Sequence, residues 1–193
     1  MVVEPSVLPI PLRFGAYALD TATPDDVDAV VAAFADPDIA RWNNGPRRPG
    51  ETVHDRAVRW VAARTAWSPD RCSWVVRDAD GRLVGQVSIH SIDDPAGTGE
   101  IGYWLTPDGR GRGIGAAAVD TATRFGFDLL GLARLELFHA VENEASCRLA
   151  LRCGYLLEGT ARQSFVYGDG LRHDEHLHGR LAADAVAPPP LPR

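Results

Sequence analysis

The stretch Tyr103-Trp104-Leu105-Thr106-Pro107-Asp108-Gly109-Arg110-Gly111-Arg112-Gly113-Ile114-Gly115 constrains the fold more than any other part of this 193-residue chain. It reads as a strand end, a loop and the opening of a helix, with glycines where side chains would obstruct close approach. The first N–H groups of a helix lack intrahelical partners and sit at the positive end of its dipole, so they suit phosphate oxygens. Arg110 and Arg112 add positive charge. A pyrophosphate-bearing cofactor is implied, since a plain strand-to-helix turn needs only one or two glycines.

Other loops of this kind fit less well. Gly111-Arg112-Gly113-Ile114-Gly115-Ala116 satisfies the G-x-G-x-x-A pattern of dinucleotide binding, but several residues separate it from its strand. No acid stands near Gly131, where the ribose partner belongs. A P-loop is excluded because no Gly-Lys-Ser/Thr follows.

The elements around this loop read as an α+β arrangement. Residues 1–14 form an irregular arm, and a strand is expected at Ala16–Leu19. Thr23-Pro24-Asp25-Asp26 opens a helix with a capping box, and Asp36-Pro37 stops it. A second helix is expected over 51–66, burying Val53, Ala57, Trp60 and Val61. Strands follow at 72–77, 82–92 and 99–105, the first two joined by an Asp-Gly hairpin turn. Beyond the loop come a helix at 116–130, a strand at 135–140, a short helix at 145–153 and two strands at 156–167 and 171–181. The Pro-rich tail, 182–193, is expected to be disordered.

Composition narrows the function classes. A net charge of −6 argues against a nucleic-acid partner, which needs a basic face, and mildly favours cationic ligands. Three cysteines without a CxxC pair predict a reduced, cytoplasmic protein, and no apolar run is long enough for a membrane. His173, His176 and His178 lie beside Asp174 and Glu175, but their spacing matches no familiar zinc motif. They are read as solvated strand residues, with no metal.

Two segments in register carry a family resemblance. Arg110-x-x-Gly113-x-Gly115 closely resembles the Arg/Gln-x-x-Gly-x-Gly/Ala signature of the GCN5-related N-acetyltransferase (GNAT) superfamily. Downstream, Asn143-Glu144-Ala145-Ser146, a short helix and Gly154-Tyr155 resemble that family's Asn-x-x-Ser…Gly-Phe/Tyr segment. "GEIGYWL", "ENEAS" and "GYLLEGTAR" lean toward the ribosomal-protein N-terminal acetyltransferases. The resemblance covers residues 12–181 and implies one acetyltransferase domain over 15–181. Its fold would have a mixed sheet of about seven strands and about four helices, with the pyrophosphate loop between the fourth strand and third helix.

The resemblance also implies the chemistry: transfer of an acetyl group from acetyl-CoA to a primary amine, by a monomer or homodimer. Residues 110–115 (Arg110, Gly111, Arg112, Gly113, Ile114, Gly115) would cradle the CoA pyrophosphate. Tyr103, Trp104 and Leu105 would pair their backbone with the pantetheine arm, and Asn143 would hold that arm or a strand end. Amides near Trp104 and Leu105 would polarise the thioester. Ser146 would help release the CoA thiolate, since Ala150 stands where many relatives keep a tyrosine. Glu100, which resembles the position of a base glutamate in histone-type relatives, is the candidate base; the subgroup's other candidate glutamate falls on Phe165, which cannot serve. Trp42, in the loop-like segment Arg41-Trp42-Asn43-Asn44, would wall the acceptor site. The absent groups at Ala150 and Phe165 also keep open a catalytically silent acyl-CoA-binding module.

Overall fold

The chain folds around one sheet whose neighbouring strands are mostly joined by tight hairpins. In the computed structural model, residues 9–43, 48, 50–93, 95–185, 187, 189, 190 and 192 are described. At the Asp-Gly turn between β3 (Arg71–Arg77) and β4 (Leu83–Asp93), the Asp78 carboxylate accepts the N–H groups of Asp80 and Arg82. This is the local bonding that favours Asp at turn starts. The sheet continues through β5 (Thr98–Leu105), β6 (Arg134–Ala140), β8 (Arg172–Leu181) and β7 (Leu156–Val166). On its other side it runs to β2 (Tyr17–Asp20) and β1 (Leu12–Phe14). Each neighbouring pair is antiparallel except β5 and β6, which run parallel because α4 (Ile114–Asp128) crosses between them.

Both faces are covered. On one, α4 and α5 (Glu144–Arg152) pack over Trp74, Val76, Val87, Ile89, Leu135 and Leu137. On the other, α1 (Val27–Ala35), α2 (Pro37–Trp42) and α3 (Val53–Ala62) bury Val30, Phe34, Ile39, Ala57 and Val61 against Val75 and Trp104. Close approach of α4 requires Gly115, where a Cβ would stand 3.0 Å from both Leu105 and Leu149. The expected capping signals operate: Thr23 N–H donates to Asp26 at 2.8 Å, and Thr52 and Asp55 form a reciprocal box opening α3.

Several expectations change. Eight strands and five α-helices are present among the described residues, against seven and four expected. The loop therefore falls between the fifth strand and the fourth helix. The extra strand, β1, lies inside the expected arm, whose residues 1–8 are outside the described residues. The extra helix, α2, starts where Asp36-Pro37 stops α1: Asp36 is also an N-cap that accepts the Ile39 N–H at 3.0 Å, and Pro37 suits a first turn. In α3 Val53 is exposed and Arg56 is buried in its place, its guanidinium over the Phe34 ring. The tail, where described, is not simply loose: Pro189 is buried, and the Pro192 Cα lies 3.8 Å from where a Gly113 Cβ would stand.

A buried ion pair ties α4 to β8. Arg180 donates to Asp120 at 3.0 Å and to the Cys153 carbonyl at 2.8 Å, with both charged residues 5% exposed. Removing one partner leaves the other charge uncompensated in the interior. Asp120→Ala is therefore expected to cost about 3–5 kcal/mol of stability, read from urea denaturation midpoints.

Candidate active site

The one parallel pair in the sheet is also where it opens. Pairing of β5 with β6 covers only Thr98↔Arg134, Gly99↔Leu135 and Glu100↔Glu136, while β5 pairs with β4 through to Leu105. Beyond Glu100 the two strands diverge, and the β6-facing backbone edge of residues 101–105 borders a cleft of about 1220 Å³. Buried backbone N–H and C=O groups need partners, so this edge can accept an extended chain in place of the strand that has moved away.

At one end the cleft meets the start of α4. Gly113 is the N-cap with φ +82°, and Gly111 has φ +72°, conformations that side chains other than glycine strain to adopt. Among the described residues no side chain caps this helix and no acid stands in its first turn, so none of them offsets its dipole. The N–H groups of the first turn have no intrahelical partners. The loop can thus hold a phosphate through its backbone.

The two arginines of the loop take different places. Arg110 donates to the Leu105 carbonyl at 3.2 Å, to Asp38 at 3.0 Å and to Asp36. Its charge is already matched by two carboxylates of α2, which departs from a free phosphate-binding cation. The side-chain pair with Asp36 also overcomes burial and holds that carboxyl below its ordinary pKa. Arg112 is exposed, its guanidinium 6.0 Å from the Tyr17 ring centroid.

Across the cleft, Ser146 is brought against β5. The Tyr103 hydroxyl donates to Ser146 Oγ at 3.0 Å, and burial raises the phenol pKa, keeping it protonated. Asn143 caps α5, its Oδ1 accepting the Ser146 N–H at 3.2 Å, while its side of the residue also lines the cleft. Trp104 sends its indole into the core against Phe34 and Trp60, so only its backbone can serve the cleft. Ala150 is wholly buried.

Glu100 sits at the fork itself. Burial raises its pKa, and Glu136 and Glu175 push in the same direction. His90 lies 3.9 Å away, but burial lowers its pKa to about 4, so at neutral pH its ring is uncharged and offers Glu100 no ion pair.

Of the remaining wall, only Trp42 was anticipated from the sequence. Trp42 ends helix α2 instead of lying in a loop, and its ring packs edge-on to Tyr167 and His173 at 5.7 and 6.0 Å; Asn44 lies outside the described residues. The Tyr167 hydroxyl donates to Glu175 at 2.8 Å. His173 is held between Glu142 at 3.2 Å and Asp169 at 2.9 Å, and the bond to Glu142 chiefly raises its pKa. Two of the three β8 histidines are thus not solvated: His173 and His178 are buried, and His176 is partly buried. Contacts between residues 31 positions apart carry no local signal, so spacing alone could not have found them.

Comparison with known proteins agrees with this geometry. Residues 18–156 match the model of the Acetyltransferase (GNAT) domain, and the chain belongs to that family. The Bacillus subtilis protein YdaF is 39% identical over 95 residues, 49% of this chain and 51% of that protein. The match thus spans about half the length of that curated relative. The Escherichia coli ribosomal-protein-serine acetyltransferase is 31% identical over 53% of this chain and 56% of its own length. Among solved structures, the ribosomal-protein-S5-alanine acetyltransferase of Vibrio fischeri superposes with a TM-score of 0.74. It is 22% identical, over 92% of this chain and all of that one, a likeness that concerns the fold.

The His173 bridge makes stability depend on pH. With its folded pKa raised, His173 stabilises fully below its unfolded value of about 6.5, and the effect is lost as pH rises through the folded value. Glu142 and Asp169 are held low, so their share is present above about 4 and lost on further acidification. The difference in urea midpoint between wild type and His173→Gln is expected to be widest between about pH 4.5 and 6.5 and to shrink at alkaline pH.

Proposed function

We propose that this chain is an N-acetyltransferase that moves an acetyl group from acetyl-CoA to a primary amine, by direct transfer in a ternary complex. The observation that carries the reading is the divergence of β5 from β6 after Glu100, opening onto the uncapped start of α4. An open backbone edge followed by a phosphate-suited helix start is what a long donor with a diphosphate at one end requires. Acetyl-CoA supplies an activated acyl group on a good leaving thiolate.

The chain's residues then have assignable tasks. Amides of 111–115 would hold the diphosphate, and the backbone of Tyr103–Leu105 the pantetheine arm and thioester carbonyl. Glu100, with its raised pKa, would take the proton of the incoming ammonium. Ser146 would donate a hydrogen bond to the departing thiolate while its oxygen accepts from the Tyr103 hydroxyl at 3.0 Å, and the stabilised thiolate would take its proton from solvent. In this reading Asn143 acts through Ser146, whose helix it caps.

The acceptor enters past Trp42. Glu142, Glu175 and Asp38 line the cleft and suit a cationic amine. One relative is named for ribosomal-protein serine and others, from Vibrio cholerae and Escherichia coli, for spermidine N(1). A protein N-terminus or a small amine is the acceptor class proposed here. A second reading, a silent acyl-CoA-binding module, draws on Ala150 and Phe165, which offer no reactive group. Release of free thiol from acetyl-CoA with a panel of amines separates the two.

Calorimetry with acetyl-CoA is expected to show one site per chain, and its absence at millimolar donor would sink the proposal. Gly113→Asp, which adds strain and negative charge at the helix start, is expected to abolish that binding while circular dichroism stays unchanged. Ser146→Ala is expected to lower kcat by about 10²-fold or more with donor binding retained. The acid limb of kcat/KM is expected to lie above the ordinary glutamate pKa and to vanish in Glu100→Gln, as a pH–rate profile will show.

A further inference from the structure

We propose that the chain holds a structural zinc-type metal site beneath the first turn of α5, formed by His139, Cys147, His176 and His178. Each of the four offers one ligand atom, and these atoms all lie within 4.8 Å of one another. The topology explains the meeting. His139 of β6 lies directly opposite His176 of β8, so their side chains leave the same face of the sheet. His178, two residues on, shares that face, and α5 brings Cys147 to it.

The hydrogen bonds fix the state of two of the rings. His139 Nδ1 lies 2.8 Å from the Ala140 carbonyl, and His178 Nδ1 lies 3.2 Å from the Tyr155 carbonyl. A carbonyl oxygen only accepts, so each Nδ1 carries the proton and each Nε2 presents a lone pair. Those two Nε2 atoms face each other at 3.1 Å. Two lone pairs at that distance need a cation between them. A shared proton would make a buried imidazolium, and among the described residues no hydrogen bond of either ring reaches a carboxylate. Side-chain packing alone accounts for ring contacts of 5.1–6.1 Å but not for confronted lone pairs.

A metal ion satisfies the arrangement. Zinc–nitrogen bonds of about 2.0–2.1 Å at tetrahedral angles place two ligand nitrogens about 3.3 Å apart, close to the observed spacing. A ligating imidazole typically donates its other N–H to a carbonyl or carboxylate, as both rings do here. His176 adds a buried Nδ1 without a hydrogen-bond partner among the described residues. Cys147 and His176 are only partly buried, so side-chain rotation can close the wider gaps. Three imidazoles and a thiolate form a closed, borderline-soft set, which fits Zn²⁺ in a structural role. On binding, the Cys147 thiol loses its proton to solvent as the sulfur–metal bond forms. The ion would pin α5 to β6 and β8 one residue from Ser146.

The test uses the untagged full chain, stripped with a chelator and titrated with Zn²⁺ against a competing chromophoric chelator. One equivalent per chain is expected. Co²⁺ in its place should give the intense visible bands of tetrahedral cobalt and a thiolate charge-transfer band. Cys147→Ser should remove that charge-transfer band, and His176→Ala should weaken Zn²⁺ binding by about 10–100-fold or more. The wild-type cobalt spectrum needs no variant to fold. Substoichiometric zinc, an octahedral cobalt spectrum, or a charge-transfer band that survives in Cys147→Ser would overturn the proposal.

Discussion

Hydrogen-bond saturation of the sheet governs this molecule. Each strand between the outer strands β1 and β7 has a neighbour on both sides, and among the described residues one interior gap remains: the β6-facing side of β5 after Glu100. Peptide groups bordering a cleft remain available only if no other strand satisfies them. β6 stays paired along its opposite edge with β8, from Arg134↔Leu181 to Ala140↔Glu175, and so does not follow β5 past Glu136. The opening is therefore built by the divergence of two parallel strands, each still held by its other neighbour, and the chemistry is arranged around it.

Each wall of the opening is fixed by an interaction that also belongs to the fold. Asn143 caps α5 and so sets where Ser146 stands against Tyr103. Trp104 anchors β5 from the opposite face through Phe34 and Trp60, leaving its backbone toward the cleft. The burial that raises the Glu100 pKa comes from lying at the base of the fork, between strands that still touch. Position in the sheet and acid–base character are thus one property here.

Much of this was legible in the sequence because its causes are local. Hairpin turns, capping residues and glycine spacing located β3, β4, β5, α3 and α4 to within a few residues, and the phosphate-suited loop with them. The short helix α2 was hidden because Asp36-Pro37 is both a stop and a start. What failed was long-range. Nothing near Arg110 announces Asp36 and Asp38, 74 and 72 positions away. Likewise His139 and His178 become neighbours only through the register of β6 and β8. Treating the β8 histidines as surface residues followed from reading the strand alone, without knowing which helix lies across it.

The Arg110 clasp has a mechanical meaning. Its guanidinium joins the glycine loop to the helix that ends in Trp42, at the far rim of the opening. A push on either rim must then travel with the other or rupture charge-assisted bonds. Two molecules entering from opposite sides would meet jaws that share a single hinge pin, and each would feel the grip the other had set.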